Sequence, residues 1–315
     1  MNTIGIPGQP SPVSSFDDNR TSEPAANMRL PETLAATPEG GRGPRVMTGF
    51  GGETTAPPIQ ETVTAVTWNV ESGGADPRVL ARQAATLAER GVDVMGLQEV
   101  DSQSWLDQMS GEMTGAAGQS FGSVLGTTGG NPGASRGNDF LGVVYNQDTL
   151  ELKGTEELND INRDGRGRAP LVAHFEHKDT GQEFLFVVNH LRRGSGARRE
   201  DEAQDLNDWA QKQDLPVLNV GDFNWDYDLN TGAPEPDNRA MDYLTEDGVH
   251  NWVEPENKTQ TYKSTRYNSI LDGILTAGDA QNWGVAESRI LSEAPFDGPN
   301  DKKNADHIPV LATFV

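Results

Sequence analysis

The order of apolar and polar positions divides the chain near residue 60. Beyond that point, Thr62 to Asn69 is a β-branched run ending in Trp68-Asn69, which predicts a buried strand. Leu80, Ala84, Leu87 and Ala88 recur at helical spacing within 78–90, and Gly91 is placed to end that helix. Apolar runs predict further strands over 92–100, 140–145, 171–175 and 183–191, with Gly181 in the turn before the last. Arg199, Ala203, Leu206 and Ala210 mark a second helix, followed by a strand over 215–220 and closing strands over 270–276 and 308–315. Many strands with few helices and no internal repeat predict a single α/β domain over 61–315, in which two packed sheets carry helices outside.

Residues 1–60 read differently. They are rich in Pro, Gly, Ser, Thr and Glu, and stretches such as Pro38-Glu39-Gly40-Gly41 hold neither periodicity. Too little apolar surface is available to offset the entropy of ordering, so this segment is expected to be a disordered tail.

Composition narrows the function. Apolar residues make up 34% of the 315 residues, a low share that the tail partly explains. The formal charge of −23 opposes non-specific contact with nucleic acid or anionic lipid. Without cysteine, disulfides and thiolate metal sites are excluded. No apolar run approaches the ~20 residues of a membrane span, and the first residues lack the basic and apolar regions of a standard secretory signal. Location stays open between the cytoplasm and a leaderless export route. A monomer is expected.

The chemistry lies where strands meet polar clusters: Trp68-Asn69, Gln98-Glu99, Asn189-His190, Gly221-Asp222-Phe223-Asn224 and Asp306-His307. Asp272 falls inside the apolar run Ser269 to Leu275, where a carboxylate is costly unless paired or bound to a metal. Any one of these is compatible with a capped strand end or a satisfied core group; six together are not. The oxygen ligands Glu99 and Asp306, with the amide of Asn69, suit a hard cation, Mg²⁺ or Mn²⁺. Two histidines with separate carboxylate partners suit proton transfer at phosphate oxygens.

Taken in order, Thr67-Trp68-Asn69-Val70, Gly96-Leu97-Gln98-Glu99-Val100, Val188-Asn189-His190-Leu191, Val220-Gly221-Asp222-Phe223-Asn224, Ser269-Ile270-Leu271-Asp272 and Ala305-Asp306-His307-Ile308 resemble the motif set of the endonuclease/exonuclease/phosphatase superfamily. The resemblance covers residues 62–315. It implies a deoxyribonuclease I-like, four-layer α/β/β/α sandwich and a metal-dependent phosphodiesterase. By resemblance, Glu99 is the principal metal ligand with Asn69 and Asp306 nearby. Asp222 and Asn224 orient the attacking water, Asp272 fixes His307, and His190 is the second catalytic histidine. Whether Asp222 or His307 takes the proton from water stays open. Ala305 departs from the serine of many members, ahead of an intact Asp-His pair.

A nucleic acid is the expected substrate. The window 163–199 carries a net +4 while the remaining chain carries −27. Arg168, Arg192 and Arg193 are candidate phosphate contacts, since a guanidinium fork matches a phosphate bidentately; Arg198 and Arg199 extend the set. Trp225 and Tyr227 are candidates either for stacking on a base or for packing, and Asp226 and Asp228 either for a structural Ca²⁺ or for loop solvation. The alternatives are a lipid or inositol phosphate phosphoesterase of the same fold, and a non-catalytic binding protein on the scaffold. The first would need an exposed apolar hairpin or a Trp-Thr-Asp-Arg signature, where this chain reads Arg266 to Asp272. The second would need a lost histidine or a lost Glu99.

Overall fold

A computed structural model describes residues 62–71, 73–129, 138–301 and 303–315. The predicted tail, 1–60, lies outside the described residues. In chain order the elements are β1 (Val63–Asn69), α1 (Pro77–Glu89), β2 (Val94–Val100), α2 (Gln103–Ala117), β3 (Phe121–Leu125), β4 (Phe140–Asn146) and β5 (Leu150–Glu157). There follow β6 (Leu171–His177), β7 (Glu183–His190), α3 (Gly196–Ala210), β8 (Val217–Asp228), β9 (Ala233–Pro234), α4 (Ala240–Thr245), β10 (His250–Trp252), β11 (Ser269–Ala277), β12 (Val285–Ile290) and β13 (Val310–Phe314).

The strands form two mixed sheets. The first has the order β12-β13-β1-β2-β4-β3, and the second β10-β11-β8-β7-β6-β5, with β9 paired to β8. β1 and β2 run parallel, as do β7 and β8. Each parallel pair is joined through a helix, because a parallel return needs a long crossover. α1 supplies the first, started by Asp76, whose side chain accepts from Arg78 N–H, and by Pro77 at its first turn. α3 supplies the second, capped by Ser195.

Alternation along the strands sorts the side chains into layers. Val63, Ala65, Val94 and Val143 of the first sheet meet Phe186, Val188, Leu218, Val220 and Ile274 of the second in the central core. Val66, Trp68, Met95 and Leu97 point the other way, against Leu80 and Leu87 of α1 and Leu106, Met109 and Met113 of α2. On the far side of the second sheet, Val187, Val217 and Ala277 cluster with Ala210 of α3. The result is the expected four-layer sandwich.

The same alternation carries chemistry. Asn69 shares its face with Val63 and Ala65, and His190 with Phe186 and Val188. Asp222 follows Leu218 and Val220 inward, and Asp272 sits between Ile270 and Ile274. All four side chains are buried. Each belongs to the inner side of its sheet, at the end of the sandwich where the parallel strands finish.

Several predictions of local structure need correction. The strand over 215–220 continues to Asp228, so Asp222 and Asn224 lie within β8 rather than beyond its end. A further helix, α2, and the strands β3, β5, β9, β10 and β12 join the elements expected from the sequence, as does the short α4. No helix among the described residues is long and apolar enough to cross a membrane.

Candidate functional site

Strand parity alone would turn Glu99 away from the site, because Met95 and Leu97 face the helices. A register shift between Leu97 and Val100, where β2 pairs with β4, inserts an extra residue. Glu99 itself takes φ 58°. A bulge of this kind re-aims a side chain, and here it directs Glu99 towards Asn69. Asn69 Nδ2 donates to Glu99 Oε1 at 3.2 Å and to Asp222 Oδ2 at 3.1 Å. Asn69 Oδ1 accepts from Glu71 N–H at 3.1 Å, which uses one of its two lone pairs.

The second sheet lays three site residues side by side. His190 on β7 is paired in register with Asp222 on β8, and Asp222 with Asp272 on β11. Next to this row β8 and β11 also shift register, between Ile270 and Asp272. Asn224 and Asp226 have φ of 49° and 55°. Left-handed backbone at non-glycine residues costs free energy and collects at functional sites. Glu71, Glu99 and Asn224 are three of the five such residues in the described chain.

Asp222 is the hub. Its Oδ1 accepts from Asn224 N–H at 3.1 Å. Its Oδ2 lies 3.5 Å from His190 Nε2 and 3.8 Å from His307 Nε2. Burial, and then the neighbouring Asp272, raise its carboxyl above the usual carboxylate range. Asn224 Nδ2 is held by Leu191 O at 3.0 Å.

His307 Nδ1 meets Asp272 Oδ2 at 2.7 Å. Burial alone would lower this imidazole, but the carboxylates of Asp272 and Asp222 outweigh it and raise it above its ordinary value. His190 behaves oppositely. Burial, then the charges of Arg168 and His307, depress it well below the ordinary histidine value. The surroundings of the two histidines thus act in opposite directions, favouring the charged ring at His307 and the neutral ring at His190.

Three carboxylates converge beside this pair. Glu71 Oε2 accepts from Asp306 N–H at 3.1 Å. Burial, then repulsion from Asp306 and Glu99, push Glu71 up to about 7. Asp306 is itself raised, chiefly by burial. Mutual repulsion among Glu71, Glu99 and Asp306, all oxygen donors, is relieved by a hard cation, so this donor set fits Mg²⁺ or Mn²⁺. The trios whose ligand atoms lie within 4.8 Å of one another are different ones. In Asp222, Asp272 and His307, the latter two already satisfy each other. In Glu99, Asp139 and His190, Asp139 is paired with Arg168.

Glu71 was missed in the sequence, where it reads as a loop residue after β1. The one available signal is its place two residues beyond Asn69.

The arginines fall into two groups. Arg168 pairs with Asp139 while bonding its carbonyl, and Arg192 pairs with Asp164 at 2.8 Å. Arg163 pairs with Asp205. Arg199 is buried, donating to Asn238 Oδ1 and to the carbonyls of Arg192 and Arg193, so it braces the loop and is not a surface phosphate contact. Arg193 is exposed and forms no carboxylate pair among the described residues; its guanidinium lies 5.5 Å over the Tyr262 ring. The Tyr262 ring in turn lies 5.1 Å from His307.

Trp225 and Tyr227 pack. Trp225 is fully buried and stacks on Phe223 at 4.8 Å, and the Tyr227 hydroxyl donates to Gly232 O. Asp226 accepts from Ser269 Oγ, and Asp228 from Asn230.

A buried imidazole–carboxylate relay beside an acidic oxygen cluster, at the mouth of a two-sheet sandwich, defines a deoxyribonuclease I-like hydrolase fold. The sequence matches the model of the Endonuclease/Exonuclease/phosphatase family over residues 66–292, and the chain belongs to that family. Its members are metal-dependent phosphoric ester hydrolases. Comparison with curated proteins gives no match. Among solved structures, the chain is similar to an endonuclease/exonuclease/phosphatase from Bacteroides vulgatus, at 15% identity and TM-score 0.62, covering 81% of this chain and 99% of that one. It is similar to D. rerio TDP2 complexed with single strand DNA product, at 15% identity and TM-score 0.61, with coverage of 81% and 99%. It is also similar to a mannosyl-6-phosphatase from Bacteroides thetaiotaomicron, at 17% identity and TM-score 0.56, covering 80% and 99%. At such identities these likenesses establish the fold.

Proposed function

We propose that the protein is a metal-dependent phosphodiesterase acting on nucleic acid. The observation that carries this reading is the placement of Asp222 between two imidazoles, 3.5 Å from His190 and 3.8 Å from His307, beside the Glu71, Glu99 and Asp306 cluster. Glu99 and Asp306 would hold Mg²⁺ or Mn²⁺, with Glu71 and Asn69 setting their positions. When bound, the cation stabilises negative charge on the phosphoryl group.

The protein groups supply the rest. Asp222, oriented by Asn224 N–H and Asn69 Nδ2, receives the proton of the attacking water. His307, already charged through Asp272, donates to a phosphoryl oxygen rather than accepting from water. His190, neutral and buried, assists on the leaving-group side, where Arg168 also contributes positive charge. Arg192 and Arg193 lie on the loop after β7 and would contact flanking phosphates. Arg193, free of a carboxylate pair among the described residues, is the stronger candidate of the two.

Two observations favour nucleic acid over a small phosphate ester. Arg193 and Tyr262 form a cationic, aromatic wall against His307, a combination suited to a phosphate followed by a ring. The structural neighbour TDP2 is seen with a single strand DNA product. The test is an assay with Mg²⁺ on plasmid DNA, single-stranded DNA, RNA, a sugar monophosphate and bis(p-nitrophenyl) phosphate. Cleavage of a nucleic acid supports the reading. Turnover of the sugar monophosphate alone replaces it with a small-substrate phosphatase.

A further inference from the structure

Beyond Tyr262 the chain crosses a loop, 263–268, exposed from Thr265 onward, before entering β11 and reaching Asp272. The loop starts at the site itself, since Lys263 N–H donates to Asp306 O at 2.7 Å and Tyr262 bridges to His307. It is fixed at its other end, where Asn268 O accepts from Leu229 N–H at 2.9 Å and Asn268 Nδ2 donates to Asn230 Oδ1. In between, the single hydroxyl of Ser264 accepts from the backbone N–H groups of both Arg266 (3.0 Å) and Tyr267 (3.3 Å). A loop held at both ends and in the middle presents its side chains in a set arrangement.

What it presents is Tyr267. Its exposure is 45%, and only two other large apolar side chains among the described residues are comparably exposed. The Arg266 guanidinium lies 5.3 Å over the ring and has no carboxylate partner among the described residues. In a chain of net charge −23, seven of the thirteen arginines among the described residues are paired with an acid, and Arg266 is one of the six that are not. The loop therefore repeats, further out, the arginine-on-tyrosine arrangement that Arg193 and Tyr262 make against His307. Tyr267 is five residues from Tyr262 and five from Asp272, so it lies within about 17 Å of each.

We propose that Arg266 and Tyr267 form a second nucleotide subsite, which holds a base and a phosphate of the strand adjoining the scissile bond. The inference rests on the nuclease reading given above and adds to it the residues that would distinguish a strand from a small ester. One face of the Tyr267 ring is covered by Arg266, and an unpaired base stacks on the other. Every base has a π-face, so this contact is tolerant of sequence and selective for unpaired strands. The Arg266 guanidinium, while keeping its place over the ring, offers N–H donors to the neighbouring phosphate. A small phosphodiester lacks the flanking base and phosphate that these two residues would hold.

The test compares a fluorescently labelled single-stranded oligonucleotide with bis(p-nitrophenyl) phosphate, using the full chain. Tyr267→Ala is expected to raise KM for the oligonucleotide by about tenfold or more, the scale of one lost base stack, with kcat/KM for the small diester unchanged. Tyr267→Phe keeps the ring and is expected to match wild type on both. Arg266→Ala is expected to raise KM for the oligonucleotide and to flatten its dependence on salt. Oligonucleotide KM unchanged in Tyr267→Ala and Arg266→Ala overturns the subsite while leaving the nuclease reading intact. Parallel loss on both substrates also overturns it, because the residues would then support the fold of the site. A wild-type protein that cleaves the small diester and no oligonucleotide removes the nuclease reading, and the subsite falls with it.

Discussion

His307 Nδ1 and Asp272 Oδ2 lie 2.7 Å apart in a fully buried contact, and this pair fixes which way the imidazole faces. With Nδ1 held, Nε2 is turned to Asp222 at 3.8 Å and Asp306 at 4.0 Å. Asp272 is in turn held through its backbone, as Thr261 Oγ1 accepts from the N–H groups of Leu271 and Asp272. A carboxylate–imidazole pair of this kind sets both the orientation and the charge of the ring.

Asp272→Asn preserves the shape of the contact and removes its charge. Turnover is expected to fall by roughly 10²-fold or more, within the range for loss of a positioned proton-transfer or charge-stabilising group. His307→Ala should fall at least as far. The check is kcat and KM on one oligonucleotide at several pH values. Wild-type kcat in Asp272→Asn would contradict the role given to the pair.

Glu71 tests the acidic cluster. Glu71→Gln keeps an acceptor for Asp306 N–H and removes one negative charge, whereas Glu71→Ala removes both. Both variants should need more Mg²⁺ for half-maximal activity, and alanine the more so, by roughly 10–100-fold, the usual cost of losing a group that orients a ligand. A magnesium titration of activity reads the difference. Identical half-saturation in all three proteins would place Glu71 outside the metal site.

Much of this was legible in the chain. The six polar clusters stood out because each interrupts or ends an apolar run, and a buried carboxylate or imidazole needs a reason to be there. Less legible were elements without a strong pattern. α2 buries only Leu106, Met109 and Met113 and contains Gly111 and Gly115, and β5 is an edge strand with a single buried residue. The bulge that turns Glu99 into the site has no signature in Leu97-Gln98-Glu99-Val100. The arginine window misled most. Counted along the sequence the window holds a surplus of +4, but Arg168 and Arg163 find Asp139 and Asp205, both outside it, so the positive groove is narrower than that local count implies. Trp225 was undecided because an aromatic residue beside a catalytic motif looks alike whether it packs or stacks.

Gly221 pairs with Asn189 in the parallel register of β7 with β8, one position before the His190–Asp222 pair. A Cβ at this position would be driven into the Asn189 carbonyl. Gly221→Ala is expected to destabilise the fold by about 1–3 kcal/mol, the typical cost of overpacking, and to lower activity in the molecules that remain folded by separating His190 from Asp222. Denaturant melts and kcat on the folded fraction check both parts. An unchanged midpoint would show that the strands yield without cost.

Acid stability has its own probe, away from the site. His250 is buried, its Nδ1–H donating to Leu244 O at 2.9 Å while Nε2 accepts from Asn219 Nδ2 at 3.1 Å. Burial lowers its pKa to about 4. Between pH 4 and 6.5 the unfolded chain therefore binds more protons at this residue, so its contribution to stability rises with pH in that window and is lost as pH falls through it. The contribution present at pH 7 should shrink by about 3 kcal/mol at pH 4. In His250→Gln the stability gap to wild type, measured by urea unfolding, should be largest at pH 7 and should narrow towards pH 4. A gap independent of pH would show that His250 is not held neutral.

The most direct measurement is the rate of oligonucleotide cleavage by wild type and by Glu99→Ala, with Mg²⁺ or Mn²⁺ and again with EDTA. Wild type should cleave with metal and stop in EDTA. Glu99→Ala should be slower by roughly 10²-fold or more at saturating metal, because loss of this ligand removes charge stabilisation at the phosphoryl group. Undiminished wild-type cleavage in EDTA, or full activity in Glu99→Ala, would contradict the account.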